Sequence, residues 1–191
     1  WMPTIDGEPQ ATEWLNHYSN CDALFTYSDW SIDVLKRSCN KLNVLGSASP
    51  AADECFQPLN KLELKKAVGL ENKYIIGTVM RNQKRKLFPD LFQAFRKFLD
   101  ISGRDDVLLY CHTSYPDNHP WNIPELLLEH GLSNKVLFTY KCSNCGYTHP
   151  THFQDYVAVC RNCHNTTSRT STVQLGISSK ELVEIYNMFD I

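Results

Sequence analysis

Tyr74-Ile-Ile-Gly-Thr-Val79 runs almost directly into Arg81-Asn-Gln-Lys-Arg-Lys86, and Phe88, Leu91, Phe92, Phe95, Phe98 and Leu99 follow at three- and four-residue steps. The first stretch is apolar on both faces, the pattern of a buried parallel strand. The last paints one apolar stripe along a helix, whose simplest role is packing against a sheet. Strand, turn and amphipathic helix in this order open a βαβ unit, and the alternation continues downstream. Residues 107–111 read as a second buried strand. Residues 123–130 read as a helix with Pro124 in its first turn and Gly131 just past its end, and 136–140 as a third strand. Beyond a cysteine-rich segment, Ser178-x-x-Glu181 forms a capping box ahead of Leu182, Ile185 and Tyr186. The expected fold class is therefore α/β, a Rossmann-like parallel sheet interrupted once by a small, loop-rich knob.

Upstream, residues 23–27 read as a short strand. Ser28-Asp29 starts a helix carrying Trp30, Val34 and Leu35 at helical spacing, and 42–45 is the next strand. Gly46-Ser-Ala-Ser-Pro-Ala-Ala52 has the composition of a connector, and 62–68 is a short helix ended by Gly69. A chain of 191 residues, 42% of them apolar, is long enough for one ordinary domain or two small ones. Nineteen basic against twenty-one acidic residues leave a formal charge of −2, so nothing global attracts nucleic acid or an anionic membrane, and an anion site must be local. No apolar run approaches the roughly 20 residues that cross a bilayer. The chain opens at Trp1 with neither a basic nor an apolar leader, so no secretory signal is read.

Eight cysteines are present, and four of them form two Cys-x2-Cys pairs, Cys142-Ser-Asn-Cys145 and Cys160-Arg-Asn-Cys163, with fourteen residues between the pairs. Each pair lets two thiolates reach one ion, and two pairs complete the tetrahedron that zinc prefers. Four protein ligands leave no open position for water, so the expected zinc is structural, and the expected compartment is reducing and cytoplasmic. His149, His152 and His164 lie close enough in sequence to compete as ligands. Phe153, Tyr156, Val157 and Val159 are too few apolar residues to fold the segment alone, which makes metal its staple. Lys141, Arg161 and Arg169 against Asp155 form too weak a basic patch for phosphate-driven nucleic-acid binding, so packing or docking of a protein partner is the expected role. Cys21, Cys39, Cys55 and Cys111 stand singly and read as buried thiols.

Four cations in the six residues from Arg81 to Lys86 lie between a strand and a helix start. Arginine offers a bidentate fork, lysine a mobile charge, and a helix N-terminus free amides, all suited to a phosphate. From Ile76 to Lys86, followed by Asp90-Leu-Phe-Gln-Ala-Phe95, the chain resembles the start of the donor domain in family-4 retaining glycosyltransferases of the GT-B fold. Ile5-Asp-Gly-Glu-Pro9, Tyr27-Ser28 and Phe56-Gln-Pro58 resemble the end of the acceptor domain and the interdomain link. Residues 108–116, with His112-Thr113, and the stretches Ile177-Ser-Ser-Lys-Glu-Leu and Ile185-Tyr-Asn are similar to later parts of the donor domain.

The resemblance implies that residues 1–57 end an acceptor domain and that 58–191 begin a nucleotide-sugar-binding domain, with a zinc-binding insertion at 141–171. It implies that Arg81 and Lys86 hold the diphosphate of a nucleotide sugar donor, and that the parent enzyme passes the sugar to a glycan or other acceptor with retention. Relatives carry Gly where this chain has Met80. Their pair of glutamates seven residues apart falls beyond Ile191, so no catalytic residue is expected within the chain, which reads as a fragment. The competing expectation is a noncatalytic scaffold that displays a zinc ribbon to protein or nucleic acid.

Overall fold

A computed structural model of the protein describes residues 1–115, 121–154, 157–172 and 174–191, so Pro116, Asp155 and Tyr156 among the positions discussed above lie outside it. The chain divides into two units, Trp1–Asp53 and Glu54–Ile191. In the first, α1 (Thr12–Ser19) precedes β1 (Leu24–Thr26), and α2 (Asp29–Ser38) leads to β2 (Val44–Ser47), which pairs with β1 in parallel. Ser28 caps α2, its hydroxyl accepting the Ser31 N–H at 3.3 Å. Val34 and Leu35 are wholly buried with Leu24, Ile5 and Tyr18. Trp30, expected on the same stripe, is instead about half exposed. Two strands of three and four residues give too small a sheet to cover the first turn of the helix.

The second unit begins with α3 (Lys61–Ala67) and β3 (Tyr74–Val79). A single 3-10 turn (Lys84–Lys86) then leads to α4 (Phe88–Ser102), β4 (Val107–His112), α5 (Ile123–Glu129) and β5 (Val136–Cys142). The strands β3, β4 and β5 are neighbours and parallel, Ile76 facing Leu109 and Cys111 facing Phe138. Successive side chains alternate between two buried faces, as a pleated strand requires. Leu109 and Cys111 meet Phe88, Phe92, Phe95 and Leu99 of α4, whereas Leu108 and Tyr110 meet Ile185 and Met188 of α6 (Ser179–Met188). The fold is thus mixed α/β with a mostly parallel sheet covered on both sides.

The cysteine segment departs from expectation. It is no knob set apart from the sheet, because β5 runs on to Cys142, and β6 (Thr148–His152) and β7 (Ser168–Thr170) both pair with it antiparallel. Pro150 and the flanking histidines hide β6 in the sequence. A proline is tolerated there because β6 ends the strand order, where one side of its backbone carries no ladder. Since β6 faces residues 137–141 and β7 faces residues 140–142, the two must lie on opposite edges of β5. The strand β7 therefore takes the same edge as β4, beyond the point at which the β4 pairing ends at Phe138.

After α6 the chain reaches the other edge of β3, where Asp190 N–H donates to the Ile75 carbonyl at 2.8 Å and Gly77 N–H to the Ile191 carbonyl at 2.7 Å. The Asp190 carboxylate accepts the Ile75 N–H at 2.8 Å and pairs with buried Lys65 and with Lys61. Burial pushes this carboxyl up, but the bonds from Lys65, Ile75 and Lys61 outweigh it and hold the pKa below the usual range. Phe189 lies edge-on to Tyr110 and Tyr186 directly over Gly77, where an added Cβ would fall 2.0 Å from the ring. Gly77→Ala should displace that ring and destabilise the protein by about 1–3 kcal/mol in urea unfolding. An unchanged midpoint would mean that the ring moves aside without cost.

Candidate functional site

The four paired cysteines converge. One sulfur from each lies within 4.8 Å of all the others, and Cys142–Cys163 and Cys145–Cys160 are each 3.7 Å apart. A zinc–sulfur bond of about 2.3 Å in a tetrahedron requires sulfurs about 3.8 Å apart, so the spacing fits a metal such as zinc and is far too long for a disulfide. His149, His152 and His164, weighed as competitors, are not part of the cluster. His149 is buried and stacked on Tyr147, and His152 turns a ring nitrogen to the Val136 carbonyl at 3.1 Å.

The two halves of the cluster are built alike. Gly146 N–H donates to the Cys142 carbonyl and His164 N–H to the Cys160 carbonyl, both at 3.0 Å. Both turn residues are left-handed, with φ of 75° and 59°. Each half also serves the other, Asn144 donating an amide to the Cys163 sulfur and Asn162 to the Cys145 sulfur, both at 3.6 Å. Donors aimed at sulfur stabilise thiolates. The Thr167 hydroxyl, with the backbone amides of Cys145 and Asn144, lowers the Cys142 thiol to about 6 against the opposing effect of burial. For Cys160 burial acts upward, yet the amides of Cys163 and Asn162 bring it below its ordinary value. Among the single cysteines only Cys111 is buried as expected, Cys21 and Cys39 being partly exposed and Cys55 exposed.

Glu181 ties this segment to α6. Its carboxylate accepts the Ser178 N–H at 2.6 Å, completing the capping box, and also the Thr148 hydroxyl of β6 and the Lys141 ammonium of β5 at 3.1 Å. Burial raises its pKa, but the bonds from Thr148, Ser178 and Lys141 together bring it down to about 2.

A second feature is a cleft of about 450 Å³ at the carboxyl ends of β3 and β4. Val79, Met80, Ile177 and Leu182 supply its apolar wall, and Arg81, His112, Thr113, Ser114, Ser171 and Thr172 its polar one. The Arg81 guanidinium is exposed and has no hydrogen-bond partner among the described residues. Burial pushes the His112 pKa down, which favours the neutral ring, and its Nδ1 lies 2.8 Å from the Thr139 hydroxyl. Among the described residues that line the cleft, only Arg81 carries a permanent charge. Thr113, Ser114 and Ser171 are 4%, 9% and 6% exposed, yet their hydroxyls have no partner among the described residues. A buried hydroxyl left unpaired costs about 1–3 kcal/mol, and native proteins leave few of them.

The basic turn is held firmly, Asn82 donating to the Trp121 carbonyl at 2.8 Å and Trp121 Nε1 to the Gln83 carbonyl at 3.2 Å. It brings Arg81 to the cleft but not Lys86, which sits half-buried in the 3-10 turn outside the lining. The helix α4 starts after left-handed Leu87 with no side-chain cap, and its second residue, Pro89, has no N–H to satisfy. Sequence reading quoted Thr113 without giving it a role and passed over Ser114 and Ser171, because serine and threonine near strand ends carry no signal until the strands are placed. No helix among the described residues is long and apolar enough to cross a membrane. No protein-family model matches the chain, and no curated protein is significantly similar to it.

Purified without added metal, the protein should carry about one zinc per chain by elemental analysis. A metal-free preparation with Cys142 and Cys160 still protected from alkylation would refute the centre. Glu181→Gln should cost roughly 1–3 kcal/mol at pH 7 by urea unfolding of the zinc-loaded protein. Because the folded pKa lies below the ordinary 4.5, the wild-type advantage is complete above that pH and shrinks as the pH falls towards 2. A difference that stays flat over this interval would contradict an ionised, bonded carboxylate.

Proposed function

We propose that the second unit is the first part of a nucleotide-sugar-binding domain from a retaining glycosyltransferase of the GT-B class. The observation that carries this reading is the cleft at the carboxyl ends of β3 and β4, where Arg81 is the one cation among the described lining residues and stands beside hydroxyls that find no partner among the described residues. Open α/β sheets bind ligands at that end, next to the place where the chain switches direction across the sheet. The path from β3 through β4 to β5, and then by α6 back to the free edge of β3, supports this reading, because a Rossmann-like sheet reverses its strand order in that way.

In the reaction, the bond from the anomeric carbon to the diphosphate oxygen breaks, both electrons remain on that oxygen, an acceptor hydroxyl oxygen bonds to the carbon on the same face, and the hydroxyl proton passes to the departing diphosphate. Arg81 is suited to meet the charge that grows on the departing diphosphate, an interaction stronger in the transition state than in the ground state. Lys86, outside the cleft lining, contributes by longer-range charge. The metal centre is structural, its four thiolates leaving no open position, and it suits a reducing compartment.

The rival is a noncatalytic scaffold that presents the cysteine segment to a partner. Calorimetric titration with UDP, GDP and ADP separates the two. The zinc-loaded protein should bind at least one of them, and Arg81→Ala should weaken that binding by roughly 10- to 100-fold, the loss of one charge-assisted contact. Lys86→Ala should cost less, and its effect should fade with added salt. Affinity indifferent to Arg81 would remove it from the site, and no binding would favour the scaffold.

A further inference from the structure

Resting on the nucleotide-diphosphate reading of the cleft, we infer that the cysteine segment forms one wall of that cleft, and that metal binding positions Ser171 there as a direct ligand contact. Three buried hydroxyls that have no partner among the described residues meet in this one hollow. Thr113 and Ser114 follow β4, but Ser171 comes from the cysteine segment, one residue after β7 ends. The strand β7 takes the edge of β5 that β4 vacates, so its last residue points the chain at the end of β4. The Thr170 hydroxyl donates to the Tyr115 carbonyl and closes the junction between the two.

What places β7 is the cluster. Cys142 pairs with Ser168 in the β5 ladder, and its sulfur lies 3.0 Å from the Thr167 hydroxyl. Ser143 N–H and its hydroxyl both donate to the Thr167 carbonyl, at 3.1 and 3.2 Å. On the other side, Ala158 and Ser168 exchange two backbone bonds of 2.7 and 3.0 Å, immediately before Cys160. Without a metal, the segment has few apolar side chains to hold these thiol-bearing turns together. The wall carrying Ser171 then loses its anchors at the Ser168 end of β7.

The hydroxyls define the ligand chemistry. A serine or threonine hydroxyl both donates and accepts, and a row of them beside one guanidinium suits the oxygens of a diphosphate and the hydroxyls of a sugar. The metal therefore gates ligand binding without touching the ligand.

Two measurements test this. In amide hydrogen exchange, removing zinc with a chelator should speed exchange at residues 168–172 and at 113–115 by tenfold or more, while the amides of β3 stay protected. Unchanged exchange at 113–115 and 168–172 overturns the inference whatever the ligand. In calorimetry with UDP, GDP and ADP, Ser171→Ala in the zinc-loaded protein should weaken binding about tenfold, Ser171→Thr should retain most of it, and Thr170→Val should weaken it through position alone. Binding that requires Arg81 but ignores Ser171 and zinc overturns this inference and leaves the nucleotide reading standing. No binding by the zinc-loaded wild type overturns both.

Discussion

A strand has two edges, and β5 spends them on three partners. One edge carries β6 along most of its length. The other is divided, with β4 on the first half and β7 on the second. This division decides where everything else in the second unit must go. It ends the parallel part of the sheet at β5, it puts Cys142 at the end of a core strand and not on a distant loop, and it aims the chain leaving β7 across the end of β4. Backbone groups in a buried sheet must be paired, so a strand cannot trade one neighbour for another without the second being held in register. The sulfur cluster sits where that register has to be fixed.

The rest of the unit is arranged to protect this junction. Apolar side chains on alternate faces seal β4 between α4 and α6, with Phe88, Phe92, Ile75 and Tyr110 fully buried. Charged groups appear inside only where they close a seam. Lys65 and Asp190 join α3 to the edge of β3, and Glu181 joins the start of α6 to both β5 and β6. Each carboxylate is fully bonded, which offsets the cost of removing it from water. The helix cap, the sheet and the metal segment therefore share one carboxylate at residue 181.

Much of the architecture was legible in advance because periodicity reports burial. The two-faced apolar run at 74–79, the aromatic stripe from Phe88 and the capping box at Ser178 each describe an element in the structure. The paired cysteines were legible for another reason, since ligand spacing is a local property. What stayed hidden was non-local. The strand β6 contains Thr-His-Pro-Thr-His, with no apolar alternation, and it forms because β5 offers an edge. The strand β7 is three residues long and gains its position from Cys142 and Ala158, far away in sequence. Ser171 could not be singled out before those pairings were known. Arg81 and Lys86 looked equivalent in the sequence, and the tight 3-10 turn separates them by turning the lysine away from the hollow that the arginine lines.

The two metal-binding turns match in their hydrogen bonds but not in their freedom to vary. Both close on a residue in the left-handed region, which an L-amino acid with a Cβ enters at a cost of roughly 1–2 kcal/mol. One turn meets that demand with Gly146, the other tolerates it at His164. Drift in sequence should therefore run one way. Glycine could replace the histidine with little penalty, whereas almost any residue in place of the glycine would add strain where four thiolates must converge.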